Sequence, residues 1–86
     1  MKSIWETTVE NNTIRIENNW FSGEKLFVNE ELQDLKQNLF ASDLEGQLYT
    51  STNEKKTIKV RLLQNLFSIG CVCFVNDKQI ALIQIK

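Results

Sequence analysis

The chain has 86 residues, a formal net charge of -1, and 24% charged against 42% hydrophobic side chains. That fits one small domain, 1–86, around one core, and excludes nucleic-acid or anionic-membrane binding driven by bulk charge. Histidine is absent, which removes Ser-His-Asp and Cys-His triads and every histidine-containing zinc site.

In chain order, Lys2 to Glu10 is polar and lacks a long apolar run. It predicts no leader, no membrane span and a cytoplasmic, reducing location. Trp5, Thr7 and Val9 fall on one face of a strand with Glu6, Thr8 and Glu10 on the other, and Ile14 and Ile16 alternate with Thr13, Arg15 and Glu17. Lys25 to Val28 is a short strand. Leu32, Leu35 and Leu39 recur at three and four, and Leu44 and Leu48 at four. That spacing suits an amphipathic helix around residues 31–45, capped by Asn29. Two strands, Leu32 to Phe40 and Ser42 to Tyr49, fit the β character of the remainder better. Ile58, Val60 and Leu62 alternate with Lys59, Arg61 and Leu63, and Cys71 to Val75 and Ile80 to Ile85 form a final hairpin. This hairpin is the most hydrophobic stretch and suits a central place. There is no proline. Turns are marked by Asn11-Asn12, Asn18-Asn19, Asn29-Glu30, Asn53-Glu54 and Asn76-Asp77, because Asn tolerates left-handed backbone. The expected fold is all-β: a compact antiparallel sandwich or flattened barrel of about eight short strands. The runner-up is α+β.

Two stretches, 18–33 and 64–80, share an order of residues. Trp20, Phe21 and Gly23 lead to Phe27-Val28-Asn29, and Leu66, Phe67 and Gly70 lead to Phe74-Val75-Asn76. They read as an internal hairpin repeat. With Trp5 in the first strand, Ser22-Gly23 before Leu26 to Asn29 and Glu30, and the Phe74 to Lys78 hairpin, the chain resembles the Fas apoptotic inhibitory molecule domain over roughly residues 4–82. It resembles small uncharacterised bacterial proteins at least as much. The first resemblance implies an all-β domain linked to suppressing apoptosis and protecting against aggregation. Glu30 and Asp77 depart from it, standing where glycine would complete the turns.

Cys71 and Cys73 point to one strand face and read as small core hydrophobes. Only a partner chain could complete a metal site on two thiolates, so no metal is expected. The acidic residues between Glu24 and Glu45 have no spacing that selects a catalytic pair. There is also no phosphate loop and no dinucleotide fingerprint. Neither an enzymatic activity nor a cofactor is expected. Adjacent aromatics on a strand point in opposite directions, so Trp20-Phe21 and Leu66-Phe67 form a candidate apolar contact patch. The C-terminal "IALIQIK" is charged only at its last residue, and if exposed it is an edge that predicts a homodimer. The leading reading is a non-enzymatic protein-interaction or self-association module. A second is a carbohydrate or small-ligand site with Trp20 as platform and Asn18 and Asn19 as donors. A third is weak nucleic-acid binding through Lys55, Lys56, Lys59 and Arg61, although such a run is ordinarily a solvated strand face.

Overall fold

Alternation at a period of two gives each segment one face to bury. The chain folds accordingly as an all-β flattened sandwich of two packed antiparallel sheets. The computed structural model describes residues 2–19, 22–37, 42–64 and 69–86. Trp20, Phe21, Leu66 and Phe67 therefore lie outside the described residues. The strands are β1 (Lys2–Val9), β2 (Asn12–Asn19), β3 (Gly23–Val28), β4 (Glu31–Lys36), β5 (Ser42–Tyr49), β6 (Lys55–Gln64), β7 (Ile69–Val75), β8 (Lys78–Ile80) and β9 (Ile83–Gln84). One sheet runs β4-β3-β2-β1-β9 and the other β5-β6-β7-β8. Trp5, Ile14, Ile16, Leu26 and Val28 face Leu44, Leu48, Ile58, Val60, Leu62, Cys73 and Val75 in a single core.

The region with helical spacing is two strands. In β4 the register shifts, so Leu26 pairs with Asp34 while Phe27 pairs with Leu32. Gln33 is the extra residue of a bulge. Leu32 and Leu35 thereby reach the same outer face although they are three apart. On β5, Leu44 and Leu48 are both buried, with Gly46 at the inward position between them. A side chain at Gly46 would press on Leu26 of β3 and Gln33 of β4.

Three hairpins close through two-residue turns with both residues at positive φ: Glu10-Asn11 (51° and 63°), Asn29-Glu30 (51° and 69°) and Asn76-Asp77 (49° and 66°). These are type I′ geometries. The first lies one residue earlier than Asn11-Asn12, and Asn18-Asn19 is strand rather than turn. Asn29 and Asn76 perform one operation twice. The Asn29 N–H donates to the Thr13 carbonyl and its Oδ1 accepts from the Thr13 N–H, both at 2.9 Å. Asn76 makes the same two bonds with Thr57, again at 2.9 Å. In each case the side chain replaces a carbonyl that the left-handed turn has carried away from the ladder.

The second position of each Asn-acid turn carries a Cβ in a conformation that glycine adopts without penalty. Asp77→Gly is therefore expected to stabilise the domain by about 1 kcal/mol, read as a higher midpoint in urea. Glu30→Gly gains less, because Glu30 Oε1 accepts from the Arg15 guanidinium.

The final hairpin is shorter than its sequence suggests. β7 pairs with β8 only from Val75–Lys78 to Cys73–Ile80. Ala81 and Leu82 then carry the chain to the other sheet, where β9 pairs with β1. The C-terminal stretch is marginal in both sheets rather than central, and its division accounts for the ninth strand.

Candidate functional site

A sheet edge carries backbone N–H and C=O groups that seek partners, and proteins blunt such edges with charge, bulges or covering side chains. Three of the four edges here are treated in that way. On β5, the Glu45 N–H donates to Asp34 Oδ2 at 2.8 Å and the Gln47 N–H to Gln33 Oε1 at 3.4 Å. The Tyr49 carbonyl accepts from Asn12 Nδ2 at 2.9 Å. Asn12 is itself held by Asn29 Nδ2 at 2.8 Å, so this strut joins the sheets while capping the edge. The β4 edge is broken by its bulge and flanked by Glu31 and Lys36. The β8 edge has three residues and begins with Lys78.

The fourth edge, β9, is shorter still, two residues, with Gln84 Nε2 donating to the Lys86 carbonyl at 3.1 Å, but among the described residues it carries no charged side chain and no cap from another strand. Gln79 to Ile85 contains no charge. Its inner side is anchored: the Ile85 N–H donates to the Ile4 carbonyl at 2.8 Å and the Ile4 N–H to the Lys86 carbonyl at 3.2 Å. Alternation turns the N–H and C=O of Gln84 outward, and the ladder becomes irregular beyond it, where Ile4 bonds both Ile85 and Lys86. Ile83 stands opposite Glu6 and Ile85 beside Ile4, both on the outer face. Ile83 is 69% and Ile85 55% exposed. Exposed isoleucine on an open edge is the arrangement that strand addition by another chain requires.

A second feature lies inside. On the inward faces of β2 and β3, Asn18 and Glu24 are only 7% and 6% exposed. Asn18 Nδ2 donates to Glu24 Oε1 at 3.3 Å, while Asn18 Oδ1 and Glu24 Oε2 have no hydrogen-bond partner among the described residues. Burial pushes the Glu24 carboxyl above its usual range, against the bond from Asn18. Asn18 thus serves the interior and cannot be a surface donor beside Trp20; the Asn19 Oδ1 accepts from the Ser22 N–H at 3.3 Å. Cys71 and Cys73 pack at this core. Burial, followed by the neighbouring Cys73 and Glu24, pushes the Cys71 thiol up to about 12, and burial pushes Cys73 up to about 11. Both are protonated at neutral pH and neither is a thiolate nucleophile.

The basic run is divided between two faces. Lys56 points to the inner side, with its Nζ 3.7 Å from Glu10 Oε1. Lys55, Lys59 and Arg61 are exposed on the outer face of β6. Arg61 Nε donates to Asp43 Oδ1 at 3.1 Å, and Lys59 faces Glu45 across the ladder. An open groove of about 660 Å³ over this face is lined by Asp43, Glu45, Lys59, Arg61, Val72 and Phe74 among others. Its charges alternate in sign, so no cationic track follows the strand. Among the described residues no three His, Cys, Asp or Glu side chains converge to hold a metal ion, and no helix is long and apolar enough to cross a membrane.

The sequence pointed to the uncharged C-terminal stretch but not to its partner strand, so Ile4 was not among the candidate residues. Its strand parity with Glu6 held the signal. Comparison with protein-family models, with curated proteins and with solved structures returns no match in any of the three.

Proposed function

We propose that the chain is a non-enzymatic self-association module that works by strand addition. The observation carrying this reading is β9: an uncharged edge with Ile83 and Ile85 in solvent. In an 86-residue chain with 24% charged side chains, an uncharged edge segment bearing two exposed isoleucines is an aggregation liability unless something covers it. The β5 edge of the other sheet is closed by three side chains, so this sandwich has the means to protect an edge where none is to be used. Light scattering over a concentration series provides the test. The mass is expected to rise from 10.0 kDa towards twice that value, and Ile83→Lys to hold it at the lower one. A wild-type protein that stays folded and monomeric into the millimolar range would remove the reading.

A further inference from the structure

Self-association by itself does not say which surfaces meet. Resting on that reading, we propose that the partner is a second copy of this chain whose β9 adds antiparallel to β9 about a two-fold axis at Gln84. The two five-stranded sheets then become one continuous sheet. A strand paired with its own symmetry mate about a two-fold axis perpendicular to the sheet is necessarily antiparallel. With Gln84 opposite Gln84, Ile83 of each copy meets Ile85 of the other on the outer face. Ile85 already adjoins Ile4 on β1. The joint therefore carries one apolar stripe built from Ile4, Ile83 and Ile85 of both copies, covering the Ile83 and Ile85 side chains that the single chain leaves in water.

Charge supports the same register. Lys86, the only charged residue beyond Lys78, falls opposite Leu82 of the second copy. The two lysines lie at opposite ends of the joint and do not repel across it. The other exposed apolar edge is less suited. Leu32 and Leu35 are 52% and 41% exposed, but the β4 bulge interrupts the backbone that a partner strand would follow.

Cross-linking tests the arrangement. In a two-fold joint centred on Gln84, cysteines at that position lie within disulfide reach, about 5.5 Å between Cα atoms. Gln84→Cys under mild oxidation is expected to give a covalent dimer that reductant reverses. Wild type gives none, because Cys73 is buried and Cys71 is packed against the core. Leu35→Cys, on the opposite edge, gives none either. Ile83→Lys should weaken dimerisation at least roughly tenfold, with the folded far-ultraviolet spectrum retained. If wild type doubles its mass while Gln84→Cys does not cross-link, or Leu35→Cys does, this arrangement is overturned and self-association survives. If wild type never doubles its mass, self-association fails and the arrangement with it.

Discussion

Gly23→Ala is expected to destabilise the domain by about 3 kcal/mol, whereas Gly70→Ala leaves it within about 0.5 kcal/mol of wild type. The two glycines occupy matching places before Phe27-Val28-Asn29 and Phe74-Val75-Asn76, yet their backbones differ. Gly23 sits at φ 93°, outside the range that a side chain tolerates, and a Cβ there would drive into the carbonyl of Lys36. The obstacle is backbone and cannot swing aside. At Gly70 the nearest atom to such a Cβ, the Leu63 carbonyl oxygen, is 3.9 Å away, an ordinary contact. The consequence extends beyond the turn. Gly23 begins β3, and a shift there pries β4 away from Glu24 and Lys25. Gln33 and Asp34 would leave with it, and those side chains cap the β5 edge. Thermal melts of both variants provide the measurement. At roughly 4–8 °C per kcal/mol for a domain of this size, Gly23→Ala should lower the midpoint by more than about 10 °C and bring aggregation on heating. A midpoint equal to that of Gly70→Ala would show that the turn relaxes without cost.

The sequence carried the sandwich because its inner strands obey strict alternation: Ile14 and Ile16 on β2, and Ile58, Val60 and Leu62 on β6, leave no other face to bury. It was ambiguous over residues 31–48 for a physical reason. A bulge at Gln33 places Leu32 and Leu35, three apart, on one face of a strand, and that is also helical spacing. Leu44 and Leu48 are four apart because Gly46 leaves the inward position between them empty. Neither fact can be read from periodicity alone. The Asn-acid turns were legible from residue type, since Asn tolerates left-handed backbone. Asn18-Asn19 used the same signal with the opposite outcome, because pairing with β1 and β3 outweighs a local turn preference. The switch of the chain from β8 to β9 was not legible either. Ile80 to Ile85 alternates as one strand would, and only the limited extent of β7 pairing shows where it breaks. The edge itself was visible as an absence of charge, but its isoleucine neighbour at position 4 required the β1 pairing.

Glu24→Gln is expected to raise stability at pH 7 by about 1–3 kcal/mol, the penalty for a buried polar group left without a partner, and to lose that advantage as the pH falls towards 4. The folded protein holds the Glu24 carboxyl above its ordinary value because burial disfavours the anion. A carboxyl with a raised folded pKa binds its proton more tightly when folded. Its favourable contribution is complete below the unfolded pKa and is lost as pH rises through the folded one. Geometry gives the same sign. Asn18 already donates to Oε1, and the two atoms left over, Asn18 Oδ1 and Glu24 Oε2, are both acceptors while Glu24 is charged. A protonated Glu24 offers a donor to Asn18 Oδ1, which pairs the acid with the amide, and glutamine offers an N–H in its place at every pH. Among the described residues, two other titratable groups near this carboxylate do not alter the result. Lys36 lies across from it in the β3–β4 ladder with its side chain in solvent, and Cys71 stays uncharged until about 12. Urea titrations of both proteins from pH 4 to pH 8 give the difference directly. A gap that opens as pH rises assigns the effect to the Glu24 charge. A variant less stable than wild type at pH 7 would mean instead that the carboxylate is held by an attraction, and the Asn18–Glu24 pair would then be a support of the sandwich rather than a strain within it.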